Sequence, residues 1–172
     1  MCELPNAEWL PCAHDPLHHF VIAEHGARPY DVAIIGAGYP QRAEVIEALR
    51  MVGVRVYATT GKIYDEYNAI YNSAKIALVV SSGSDLAMRV FENMAQGCIV
   101  VADDAPDIAK AGFVVGRDYL QYRSIPECIE HVRTVLAGYD SRDVQAIRCA
   151  AREAVTPHTW EARVKHILKA VK

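Results

Sequence analysis

The chain has 172 residues, enough for one domain with a real core, and its 52% hydrophobic and 23% charged residues exclude a disordered chain. A net charge of −3 gives no reason to expect a nucleic-acid or anionic-membrane partner, and the best apolar run, Ile76 to Val80, is strand-sized rather than membrane-spanning. Met1 to Pro5 lack the basic start and long apolar stretch of a signal peptide, so a cytoplasmic setting is expected.

Residues 1–29 read as an irregular, linker-like segment, punctuated by Pro5, Pro11, Pro16 and Pro29 without a sustained apolar period. From Tyr30 to the end, short β-rich runs alternate with helical stretches, predicting one domain over 30–172. Asp31 to Ile35 reads as a buried strand, and Gln41 to Val52 as a helix with Val45, Ile46, Leu49 and Val52 on one face. A second strand is expected at Val54 to Tyr57, a helix at Asp65 to Ser73 and a third strand at Ile76 to Val80. Leu86 to Gln96 follows as a helix with Gly97 as its C-cap, then a fourth strand from Cys98 to Ala102 and a short fifth from Phe113 to Val115. Ser124, with Pro126 in the first turn, caps the next helix, Asp140 the one after, and a last helix runs from Thr159 to Val171. Continuous apolar strands alternating with helices imply an α/β, Rossmann-like, doubly wound parallel sheet, with ligands at the carboxyl ends of its strands.

The five cysteines (Cys2, Cys12, Cys98, Cys128, Cys149) are odd in number and widely spaced, so they read as reduced and structural. His14, His18, His19 and His25 cluster before the sheet, and His14 and His18 have a ligand-like spacing, but no matching Cys or carboxylate spacing accompanies them and no metal is expected. Asp103 and Asp104 read as satisfying loop backbone groups or facing solvent, Tyr64, Tyr67 and Tyr71 as core or rim, and Trp160 as packing the last helix against the sheet.

The turn Gly36-Ala37-Gly38 lies between a strand and a helix, where glycines let backbone N–H groups approach a phosphate and the helix start favours an anion. Arg42 is placed to meet that anion; as a bland alternative the turn is only tight and the arginine only solvated. Gln41 stands where a dinucleotide fingerprint needs a small residue, and the second strand ends without an acidic one, which argues against NAD. More informative is the run Ser81 to Gly97. Helical spacing puts Asp85, Arg89 and Glu92 on one side. Locally, Asp85 reads as an N-cap and Arg89–Glu92 as an intrahelical ion pair; beside the strand ends, a guanidinium also suits a diphosphate and a carboxylate suits paired ribose hydroxyls.

These residues carry a resemblance. Tyr71-Asn72-Ser73-Ala74-Lys75-Ile76, then Ser84-Asp85-Leu86-x-x-Arg89-Val90-Phe91-Glu92-x-x-Ala95-x-Gly97, resembles the spore-maturation-protein group of GT-B glycosyltransferases. Trp9-Leu10-Pro11 with Asp15-Pro16, and His158-Thr159-Trp160-Glu161-x-Arg163, resemble the two ends of that group's carboxy-terminal domain. The resemblance implies a donor site for a nucleoside-diphosphate sugar, with no cofactor beyond that substrate. Glu92 would hold the donor ribose, as the second member of a paired-glutamate motif whose first member falls on Ser84; Asp85, next door, is expected in the catalytic position. Arg42 and Arg89 would steady the diphosphate, Gly36, Ala37 and Gly38 would approach it with Ser82 nearby, and the loop to Ile63 and Tyr64 would cradle the base. The resemblance further implies an amino-terminal acceptor-binding domain or partner chain, and a retaining transfer. The alternatives are a non-catalytic nucleotide-binding or assembly module that self-associates as a homodimer, and a sugar-nucleotide epimerase.

Overall fold

Five short runs rich in branched residues become the strands of one parallel sheet: β1 (Tyr30–Ile35), β2 (Val56–Thr59), β3 (Ala74–Val79), β4 (Ile99–Asp103) and β5 (Leu120–Tyr122). Their order across the sheet is β2-β1-β3-β4-β5. The register carries a row of branched side chains across it, Val56 beside Val32, Val32 beside Ile76 and Ile76 beside Ile99. The computed structural model describes residues 7–23, 27–81, 83 and 85–171. Parallel neighbours need crossovers, and the helices are α1 (Pro40–Met51), α2 (Tyr64–Asn72), α3 (Arg89–Ala95), α4 (Pro106–Lys110), α5 (Ile125–Ala137), α6 (Arg142–Val155) and α7 (Trp160–Ala170).

Strand alternation divides the core in two. Val32, Ile34, Ile76, Leu78, Ile99 and Val101 face one way, against Val45 and Leu49 of α1 and Cys128, Val132 and Val135 of α5. Their neighbours Ala33, Ile35, Ala77, Val79, Val100 and Ala102 face the other, against α2, α3, α4 and α6. On that second face small strand residues leave room for large helical ones: Tyr71, Phe91 and Met94 are completely buried. Each such side chain contributes about 1.5–3 kcal/mol by leaving water. The doubly wound, Rossmann-like sandwich expected from the pattern is therefore the one that forms.

Several boundaries differ from expectation. The fifth strand is Leu120–Tyr122, not Phe113 to Val115: Phe113 is buried against Phe91 and His158, but Val114 and Val115 are half exposed, and Gly116 at φ +79 turns the chain there. The third helix begins at Arg89, not Leu86, because Leu86 and Ala87 pack against the core as an irregular lead-in and the first helical bonds run Val90 N–H to Ala87 and Phe91 N–H to Met88. Asp85 thus stands before the helix and does not cap it; the N-cap is Met88. Ser141, not Asp140, caps α6, its hydroxyl accepting the Val144 N–H. The helix α4 has no counterpart in the expected elements. Of the cysteines, Cys12, Cys98, Cys128 and Cys149 are free, with Cys98 and Cys128 buried and Cys149 exposed, while Cys2 lies outside the described residues.

Residues 7–23 contain no helix or strand apart from one bridge, His14 to Thr159, yet they are tied down at both ends. Arg163 of α7 donates to the Pro11 and Cys12 carbonyls. Asn68 and Asn72 of α2 bind the main chain of Phe20 and Ile22 with their amides. Between these anchors Asp15 organises a turn, its carboxylate accepting the Leu17 N–H and its carbonyl the N–H groups of His18 and His19.

Candidate functional site

The strand order reverses beside β1: β2 lies on one side and β3 on the other, so the crossovers diverge and leave a crevice at the carboxyl ends. A cleft of about 460 Å³ opens there. Ile35 and Gly36 end its floor, Arg89 and Glu92 of α3 form one wall, and the loop Gly61 to Tyr64 forms another. Asp15, His18, His19 and Trp160 complete it. Of the residues singled out in the sequence, Gly36, Ile63, Tyr64, Arg89 and Glu92 therefore share one cavity. Gly38 and Arg42 line a separate, mainly apolar hollow of about 190 Å³ on the far side of the Gly36 turn, and Gly36 belongs to both. Asp85 lines neither, and Ser82 and Ser84 lie outside the described residues.

Two guanidinium groups converge under the turn. A Cβ placed on Gly36 would lie 2.6 Å from Arg89 Nη1 and 2.8 Å from Arg42 Nη1, and the backbone there has φ +146, so only glycine fits. Arg42 is almost fully buried and donates to main-chain carbonyls, Ala37 and Val80 (3.0 Å for the latter), while Arg89 donates to the Ile35 carbonyl at 3.2 Å. Each keeps a buried Nε with no hydrogen-bond partner. Burial, and next the charge of Arg89, push the Arg42 pKa below its ordinary value. Arg42 also sits in the first turn of α1, which has neither an acidic residue nor a side-chain cap, so its charge opposes the helix dipole. The Gly36 N–H is already spent on the Thr59 carbonyl. Desolvation, like-charge repulsion and the dipole of α1 all disfavour the Arg42 cation, and an anion nearby would offset them electrostatically.

Glu92 is the opposite charge in the same cavity. It is only 5% exposed, and burial raises its pKa, opposed by the Tyr67 hydroxyl and by Arg89. Tyr67 donates to Glu92 Oε2 at 2.6 Å, and His19 Nε2 lies 3.4 Å from Oε1. The carboxylate is thus held by α2 and the amino-terminal segment rather than by an ion pair with Arg89. Tyr71, the next turn of α2, accepts the Ile35 N–H at 3.1 Å and so braces the end of β1. The aromatic expectations resolve accordingly: Tyr67 and Tyr71 are buried, and Tyr64 is on the rim at φ +48, its ring 4.9 Å from that of His18.

Trp160 corrects its expectation. It does not pack onto the sheet; it is 43% exposed and borders the cleft. The rest of α7 contributes no buried residue, and Val164, Ile167, Leu168 and Val171 continue from Trp160 as an exposed apolar stripe. Asp103 takes the Ser81 N–H and hydroxyl, which is the loop-satisfying role expected, while Asp104 is exposed and meets the side chains of Gln121 and Arg123. Among the described residues no group of three or more metal-ligating side chains assembles. The residues not foreseen are Asp15, His18 and His19. Their signal was present as Asp15-Pro16, a turn that aims the histidines after it, but those histidines drew attention only as metal ligands.

Comparison with known proteins identifies the family and the fold. The model of a family described as glycosyl transferase-like matches residues 17–169. Sucrose-phosphate synthase from Thermosynechococcus elongatus is similar in structure at a TM-score of 0.67 and 17% identity, covering 94% of this chain and 51% of its own. The C-terminal domain of a glycosyl transferase group 1 family protein, LpcC, from Francisella tularensis gives 0.63 and 13%, covering 84% of this chain and 97% of that domain. Anabaena Alr3699/HepE, solved in complex with UDP, gives 0.58 and 13%, over 81% of this chain and 40% of that one. The chain thus spans about half or less of the larger structures, and at these identities the likeness shows the fold. No curated protein matches the chain in sequence.

Proposed function

We propose a function from the premise that the chain belongs to the glycosyl transferase-like family, whose model covers most of its length. On this reading it is the donor-binding half of a GT-B glycosyltransferase, close to the spore-maturation-protein group. It grips a nucleoside-diphosphate sugar and works with a second domain or chain that binds the acceptor.

One observation carries the reading: two guanidinium groups, each with a buried and unpartnered Nε, crowd the glycine that ends β1 at the switch point of the sheet, and the buried carboxylate of Glu92 lines the same cleft as that glycine and Arg89. A diphosphate neutralises Arg89 directly and Arg42 through the turn between them. Glu92 takes the ribose hydroxyls, and the Gly61–Tyr64 loop takes the base. When the sugar leaves, negative charge grows on the diphosphate, and cations already fixed in place lower the barrier without reorganising. Asp85, on the irregular lead-in to α3, is the side chain proposed to act on the sugar itself.

The second half has a surface waiting for it. The stripe on α7 begins at Trp160, which also borders the cleft, so a domain packed on α7 adjoins the cleft. The same stripe favours a second reading, a self-associating module in which another copy of the chain covers it.

Calorimetry with UDP- and GDP-sugars tests the proposal. Saturable heat with one of them, lost in Glu92→Ala, is expected; silence from every nucleotide sugar sinks it. Sedimentation separates the readings, since a stable dimer without turnover favours the module.

A further inference from the structure

Glu92 can grip a diol only if its carboxylate is held still with lone pairs free. Each carboxylate oxygen offers about two acceptor positions. Tyr67 occupies one on Oε2 at 2.6 Å. Among the described residues the other oxygen is paired with His19, whose Nε2 lies 3.4 Å away.

The proton on His19 is placed by the main chain. Asp15 N–H donates to His19 Nδ1 at 3.1 Å, which requires that nitrogen to be the acceptor and puts the proton of the neutral ring on Nε2. The ring is buried enough that desolvation holds its pKa below the ordinary 6.5, with Asp15 acting the other way and His18 adding to the lowering. It packs edge-on to Tyr67, centroids 5.8 Å apart. His19 also lines both the cleft and a second hollow of about 480 Å³ formed by the amino-terminal segment, α3 and α6.

We propose that His19 is a positioning residue for Glu92. Its Nε2–H, fixed in that tautomer by the Asp15 N–H, faces Oε1 while Tyr67 holds Oε2, so the carboxylate presents its remaining lone pairs to two adjacent hydroxyls of the ligand. The 3.4 Å separation is longer than a relaxed hydrogen bond, and it shortens when the hydroxyls pull the carboxylate into register. The amino-terminal segment is then part of the site and not only a connector. The inference rests on the reading of the cleft as a nucleotide-sugar site and adds a residue to it.

The test uses the full chain, UDP, and 2′,3′-dideoxy-UDP, which lacks the two hydroxyls. His19→Gln keeps a donor at the reach of Nε2, whereas His19→Asn keeps an acceptor for Asp15 but falls short of Glu92. Expected are near wild-type UDP affinity for His19→Gln, a loss of about tenfold for His19→Asn, and no such loss when the dideoxy nucleotide is the probe. An Asn variant equal to wild type, or equally impaired with both nucleotides, overturns the assignment. Nitrogen NMR of the free protein is the independent arm: a protonated Nε2 is expected, and a protonated Nδ1 overturns it. If wild type binds both nucleotides equally, or neither, the diol-gripping role of Glu92 fails and the role of His19 fails with it, whereas a hydroxyl preference that His19→Asn leaves intact removes His19 alone.

Discussion

The two ends of β1 have opposite electrostatics. At the amino end, Asp31 receives the Arg55 N–H, Nε and Nη2 at 2.9–3.1 Å, with Lys75 Nζ 3.6 Å away, and those bonds hold its pKa below the usual value. At the carboxyl end, Arg42 and Arg89 crowd one glycine with unpartnered Nε atoms, and Glu92 is pushed upward by burial. One strand, a few residues long, runs from a site where every charge is answered to one where charges are left in tension. The first end is built for stability; the second is held together by the fold so that something else can complete it.

The largest expected effect breaks the carboxyl end. Glu92→Ala lowers nucleotide-sugar affinity at least about a hundredfold, roughly 2.7 kcal/mol, with the melting temperature not reduced in proportion; a variant that binds normally removes the contrast. Gly36→Ala comes next. Its methyl collides with both guanidinium groups at φ +146, so an unfolding cost of about 1–3 kcal/mol is expected by denaturant titration, together with loss of binding. Asp31→Asn should do the reverse, costing about 1–2 kcal/mol of stability and leaving affinity unchanged.

The smallest effect is the sharpest discriminator, because the two carboxylates have opposite pH signs. Asp31 has a depressed folded pKa, so its contribution is present above the ordinary 3.8 and is lost as pH falls through the folded value. Glu92 has a raised one, so its stabilising contribution is complete below the ordinary 4.5 and disappears as pH rises through the folded value. Relative to wild type, Asp31→Asn should therefore lose ground and Glu92→Gln gain it as pH is raised from 3 to 7, each by less than about 1 kcal/mol. Equal slopes would erase the distinction between the ends.

The sequence displayed the sheet because buried parallel strands are continuous apolar runs: Asp31 to Ile35 and Ile76 to Val80 could be little else. It displayed Gly36, Arg89 and Glu92 because a glycine at a strand end and charges beside it are unusual there. It misled at Leu86 to Met88, whose apolar spacing mimics a helix although the side chains only lead into one. It did not reveal that His18 and His19 belong to the cleft. They lie beside Tyr64 and Glu92 on a segment anchored just downstream, where the Phe20 and Ile22 N–H groups donate to the side-chain oxygens of Asn68 and Asn72 some fifty residues away in the chain, and no local period records such a contact.

Trp160 has a consequence for how the molecule can be watched and driven. It is one of two tryptophans, and the other, Trp9, lies 4.5 Å under the Lys110 ammonium, away from the cleft. In a Trp9→Phe background all indole emission comes from a single ring that touches the cavity on one side and the α7 stripe on the other. Filling the cavity and covering the helix then report through one chromophore. If the proposed function holds, linkage makes the two events reciprocal: any factor by which a partner on α7 changes nucleotide affinity is the factor by which the nucleotide changes the partner's.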